Sequence, residues 1–142
     1  MNNLSFEKIW IDSNPIEDFF QIKVIANNDR ITMSSEVYAY TDKIKEFQSG
    51  VHNILIRPFS IVIGNDDNSN IDCVKFSLKS NKRGLVSILV FMKTCNYENI
   101  DERINDTAEF TILADVASLD RFSSGLTQIA EGKVGERVQL HD

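Results

Sequence analysis

The chain has 142 residues, the usual size of one domain, and its 42% hydrophobic and 25% charged content is ordinary for a folded globular protein. Its 21 acidic against 15 basic residues leave a net charge of −6. No basic stripe breaks that excess, which argues against direct nucleic-acid binding, where phosphate neutralisation dominates affinity.

The first strand expected is EKIWID (7–12), followed by FFQIKVIA (19–26), in which Phe20, Ile22, Val24 and Ala26 share one face. SEVYAY (35–40) reads as a third strand and leads into TDKIKEFQSGV, a helix with Thr41 or Asp42 as cap and Ile44, Phe47 and Val51 on one stripe. RPFSIVIG (57–64) is a strand whose Pro58 suits only a start or an edge. VKFSLK (74–79) alternates cleanly, SNKRG (80–84) turns with Gly84 at positive φ, and GLVSILVFMKT (84–94) is apolar enough for a central strand covered on both faces. AEFTILAD (108–115) is the next strand. DVASLDRFSSGLTQIAEG then reads as a helix capped by Asp115, striped by Val116, Leu119, Phe122, Leu126 and Ile129, and ended by Gly132; RVQL (137–140) closes the set.

The fold class that follows is α+β: a mainly antiparallel sheet of about seven to eight strands with two short helices, in a single domain over 1–142. IKEFQSGV (44–51) and LDRFSSGL (119–126) repeat one phrase 75 positions apart, and FQIKVIANNDR aligns with VKFSLKSNKRG at a shift of 54. Two readings stay open: a duplicated strand, strand, helix unit with half-repeats 18–64 and 72–140, or two amphipathic helices that merely look alike. Under duplication, CNYENIDERINDT (95–107) supplies most of the extra length of the second copy. Gly50 and Gly125, inside the two helices, fit a close approach of helix to sheet.

Chemistry is sparse. His52 and His141 lack a second ligand at zinc spacing, no Gly-rich phosphate loop opens a helix, and SSG (123–125) lies in a helical stripe instead of a nucleophile elbow. NDDNSNID (65–72) offers oxygens at Asp66, Asp67 and Asp72 but lacks the Gly and bidentate Glu of a calcium loop. Cys73 is expected opposite residue 90 or 91 in the hairpin, which puts Cys95 roughly 13 Å away at the usual strand rise, beyond disulfide reach. Both read as reduced thiols. No metal, cofactor or catalytic residue is therefore expected. The apolar run Ile88 to Met92 is too short to cross a bilayer and no secretory signal pattern opens the sequence, so a cytoplasmic protein without membrane contact is expected.

The early strand FFQIKVIA, the pair EVYAY and DKIKEFQSGV, the strand GLVSILVFMK and the closing AEFTILADVASLDRFSSGL together resemble a bacterial family of small proteins related to the WapI immunity protein. Such proteins are cognate antidotes of wall-associated and contact-dependent toxins. The resemblance spans most of residues 6–131 and implies a non-enzymatic protein that binds and blocks a toxin domain, with a basic domain expected from the acidic charge. The acidic residues Asp66, Asp67, Asp72, Glu98, Asp101, Glu102, Asp106 and Glu109 are the expected contacting face, because opposite charge speeds capture. The alternative is a small-molecule-binding or adaptor module with no toxin link, whose sign would be a deep apolar cavity with a few convergent polar groups. Self-association through a strand edge stays open.

Overall fold

The two halves of the chain lay down the same sequence of elements: three antiparallel strands, a helix and one further strand. In the computed structural model, which describes residues 2–14, 16, 18–64, 72–97 and 103–141, the first half holds β1 (Asn3–Ile11), β2 (Phe20–Asn27), β3 (Thr32–Ala39), α1 (Thr41–His52) and β4 (Phe59–Gly64). The second holds β5 (Cys73–Ser80), β6 (Leu85–Tyr97), β7 (Arg103–Asp115), α2 (Val116–Glu131) and β8 (Arg137–Gln139). Each expected strand and both helices are present. The sheet is not single, however: the eight strands form two four-stranded antiparallel sheets, ordered β3-β2-β1-β8 and β4-β5-β6-β7. Each helix carries the chain from one sheet to the other, so the last strand of each half completes the sheet of the other half. Period-two alternation reveals which face of a strand is buried but not which sheet it joins.

Register relates the halves more closely than sequence does. Leu4, Phe6 and Lys8 of β1 lie opposite Ala26, Val24 and Ile22 of β2, as Val74, Phe76 and Leu78 of β5 lie opposite Met92, Val90 and Ile88 of β6. Ile22 and Phe20 then face Val37 and Ala39, as Ile88 and Val86 face Ile112 and Ala114. The strand matching β5 is thus β1, whereas the sequence alignment set β2 over β5. Lys8 hides the match by standing where an apolar residue belongs. The segment 95–107 is likewise not a loop throughout: β6 runs on to Tyr97 and β7 starts at Arg103, so the hairpin strands are longer than expected.

Both sheets turn their buried faces and both helices their apolar stripes into one hydrophobic cluster. At its centre Phe6 and Phe76 from the two sheets meet Phe47 and Phe122 from the two helices, all at most 1% exposed, with ring centroids 5.3 to 6.2 Å apart. The helices cross where Gln48 Nε2 donates to Ser123 O at 2.7 Å and to Thr127 Oγ1 at 3.1 Å. A Cβ on Gly50 would stand 2.5 Å from the Phe59 ring of β4, and one on Gly125 2.8 Å from Val138 of β8. The Ser-Gly step in each helix therefore exists for contact with the strand that follows it.

Three local expectations change. The first helix starts after Tyr40 with no side-chain cap of its own; Asp18, from the β1–β2 connection, accepts from Thr41 N at 3.0 Å and from Thr41 Oγ1. Asp115 does cap α2, accepting from Ser118 N at 2.7 Å, and Gly132 ends that helix. β6 is central but covered on one face only: Val86, Ile88, Val90 and Met92 are buried while Leu89 is 40% exposed. Gly84 takes the positive φ of 78° the turn requires. Cys73 pairs in register with Lys93, a few positions further than expected, and no disulfide joins it to Cys95. Among the described residues, no helix is long and apolar enough to cross a membrane.

Candidate functional site

The outer face of the first sheet carries four aromatic rings that the core does not use. A β-bulge lies between Lys8 and Trp10, so the even-numbered residues that point inward up to Lys8 point outward from Trp10 on. Trp10 consequently shares an outward row with Gln21 of β2 and Tyr38 of β3. Phe19, just before β2, fills the space beside them, and Tyr40 joins it where β3 runs into α1. Phe19 stacks on Tyr38 at 5.1 Å and 18°, and meets Tyr40 at 5.1 Å. Trp10 stands edge-on to Phe19 at 5.7 Å and to Tyr38 at 6.1 Å. Trp10, Tyr38 and Tyr40 remain 41%, 40% and 51% exposed.

These rings hold one another in place, which lowers the entropy lost when a partner covers them. The neighbouring outward row, Glu36, Lys23 and Glu7, gives the patch a polar flank of alternating charge. An apolar, aromatic centre with a polar border is the arrangement typical of protein interaction sites. Beneath this face, Lys8 is 3% exposed. Its Nζ donates to Ala130 O at 3.2 Å and Gly132 O at 2.9 Å, and lies 4.4 Å from the centroid of the Phe20 ring. Burial lowers its pKa from the usual lysine value, while the charge of Asp18 opposes that shift. The ammonium closes the carbonyl end of α2, a structural duty.

The acidic residues expected to form the contacting face divide. Asp66, Asp67, Glu98, Asp101 and Glu102 lie outside the described residues. Asp72 has both carboxylate oxygens engaged between the sheets, Oδ1 accepting from Cys95 N at 2.8 Å and Oδ2 from Glu36 N at 3.1 Å. Asp106 and Glu109 are exposed on β7. Glu109 shares a shallow depression with Lys75, Ser77, Leu89 and Phe91 on the outer face of the second sheet.

Between the helices, an open groove of about 540 Å³ is lined by Gln48, Val51, His52, Asp120, Ser123, Ser124 and Thr127. Its walls are mostly polar, unlike the deep apolar cavity of a small-molecule site. His52 is exposed, and no hydrogen bond joins it to Asp120 or to either serine. Among the described residues, no group of three His, Cys, Asp or Glu side chains is placed to hold a metal ion.

The aromatic patch was legible in principle. In SEVYAY, Val37 and Ala39 alternate with Glu36, Tyr38 and Tyr40, so an inward small pair forces the tyrosines out. Trp10 was not legible, because only the bulge turns it. Comparison with protein-family models, with curated proteins and with solved structures gives no match.

Proposed function

We propose that this protein is a non-enzymatic binding protein that acts by covering a surface of another protein, and that its partner is a bacterial toxin domain. One observation carries the reading: the cluster of Trp10, Phe19, Tyr38 and Tyr40, packed ring against ring yet open to solvent. Trp and Tyr are the residue types on which binding energy concentrates, since each covers a large area with few rotatable bonds. The pattern resemblance to WapI-related immunity proteins supplies the kind of partner. The net charge of −6 favours a basic one, with Asp106 and Glu109 contributing to encounter more than to hold.

The test uses the toxin domain encoded beside this gene and calorimetric titration. Replacing Trp10 and Tyr38 by Ala is expected to weaken binding by roughly a hundredfold or more, the size of a hot-spot loss. Reversing Asp106 and Glu109 to Lys should weaken it less and flatten its salt dependence. Equal binding by the aromatic variant would remove the patch from the mechanism. Asp72 is left out of the charge set, because its carboxylate ties β3 to β6.

We also infer that the two halves descend from one duplicated unit. The support is the common order of elements, the common register and the paired rings Phe6 with Phe76 and Phe47 with Phe122. Residues 73–141 expressed alone would lack β1 beside β8 and β4 beside β5, so a second copy is expected to fill both places. A folded monomer by light scattering would contradict this.

A further inference from the structure

β8 is an edge strand of the first sheet. Lys8 N donates to Glu136 O at 2.9 Å and Leu140 N donates to Leu4 O at 2.7 Å, with Val138 opposite Phe6 between them. In an antiparallel ladder the intervening residues direct their backbone groups the other way. The N–H and C=O of Arg137 and Gln139 therefore face away from β1, along the open edge.

A groove of about 440 Å³ follows this strand, with Arg137, Val138, Gln139, Leu140 and His141 along one side and Arg121, Gly125 and Gln128 of α2 along the other. Gly125 lets the helix lie close against Val138. Its lining includes Arg121, Arg137 and His141 and no Asp or Glu, in a protein of net charge −6. Arg121 Nη2 donates to Ser118 Oγ at 3.2 Å and Arg137 Nη2 to Gln139 Oε1 at 3.5 Å, and among the described residues no carboxylate forms a salt bridge with either guanidinium. The nearby Asp115 has its oxygens on Ser118 N and Ser118 Oγ, at the start of α2.

We propose that this groove takes an extended peptide segment bearing carboxylate side chains, which adds to the edge of β8 by main-chain hydrogen bonds at Arg137 and Gln139 and sets its acids against Arg121 and Arg137. An edge strand beside a helix is the geometry in which added strands dock, the ladder giving affinity and alternate side chains giving selectivity. Each guanidinium spends a donor on a neutral oxygen and neither forms a salt bridge, although the charge of Asp115 reaches Arg121; the donors that remain choose carboxylates, because each guanidinium offers a planar fork.

The experiment follows the Arg137 and Gln139 amide resonances of the whole protein during titration with a blocked peptide of alternating Glu and Val. Saturable shifts at both amides are expected. Two control peptides separate the two forces: one with Lys for Glu, and one with Glu kept but alternate amides N-methylated. Both should bind at least roughly tenfold more weakly, as should the peptide against Arg121→Gln and Arg137→Gln. Gln139→Pro removes an outward N–H at an edge together with the carboxamide that accepts from Arg137, and should do the same with little change in melting temperature; Gln139→Ala, which removes the carboxamide alone, should bind the peptide like the native protein. Equal binding of either control peptide overturns the proposal. So does inorganic phosphate reproducing the peptide's shifts, since the groove would then be an ion site.

Discussion

Two groups of four aromatic residues in this protein have similar ring spacings and opposite fates. Phe6, Phe47, Phe76 and Phe122 join two sheets to two helices at centroid separations of 5.3 to 6.2 Å, wholly out of water. Trp10, Phe19, Tyr38 and Tyr40 sit 5.1 to 6.1 Å apart on the outside of one sheet, with three of the four at least 40% exposed. Ring contact alone therefore does not separate a core from a surface. What separates them is the number of elements each group joins: the first links β1, β5, α1 and α2, whereas the second belongs to one face of one sheet. The buried group has its work done in the folded chain. The exposed group keeps apolar area that only another molecule can remove from water.

The comparison can be broken most sharply in the core. Phe122→Ala empties space at the meeting point of both sheets and both helices and is expected to cost about 3–5 kcal/mol in urea unfolding. A loss near 1 kcal/mol would mean that the four rings do not hold the layers together. A smaller effect is expected from Gly125→Ala. The new methyl must displace Val138, a clash of about 1–3 kcal/mol, which exceeds the gain of about 1 kcal/mol from better helix propensity. A net increase in stability would show that α2 is free to move off β8. The double variant Trp10→Ala and Tyr38→Ala should cost only about 1 kcal/mol, as expected for exposed rings that mainly touch each other. A loss as large as that of Phe122→Ala would make the outer patch part of the fold.

The subtlest test concerns Lys8, which stands where the other half has Leu78. Burial lowers its folded pKa below the usual value of 10.5, so between those two values the unfolded chain binds the extra proton. Stability should therefore rise as pH climbs through the folded pKa toward 10.5, and this gain should vanish in Lys8→Met. A pH-independent difference between the two proteins would contradict the assigned cause.

Strand and helix positions were legible because each strand buries one face, and because Ile44, Phe47 and Val51, like Leu119, Phe122, Leu126 and Ile129, keep helical spacing. The division into two sheets was not, since nothing in a strand's alternation names its neighbour. That β4 pairs with β5 and β8 with β1 depends on each helix crossing the core, a property of the packed whole. The strand at EKIWID was legible, but Lys8 at an inward position and the bulge beside it hid the register that β1 shares with β5. They also concealed Trp10. Tyr38 and Tyr40 are legible on the outward beat of SEVYAY, whereas charge alone does not tell a contacting acid from a structural one: Asp72 is a tie between sheets.

The claim that an exposed aromatic face is this protein's point of contact rests most directly on its single tryptophan. Titration with the proposed toxin domain, followed by Trp10 emission against a partner that lacks tryptophan or with Trp10 labelled as the fluorinated residue, reads that face alone. Burial of the patch predicts a saturable shift of the Trp10 signal, with the same midpoint as the calorimetric isotherm. Heat of binding with an unmoved Trp10 signal would place the contact elsewhere and contradict the account.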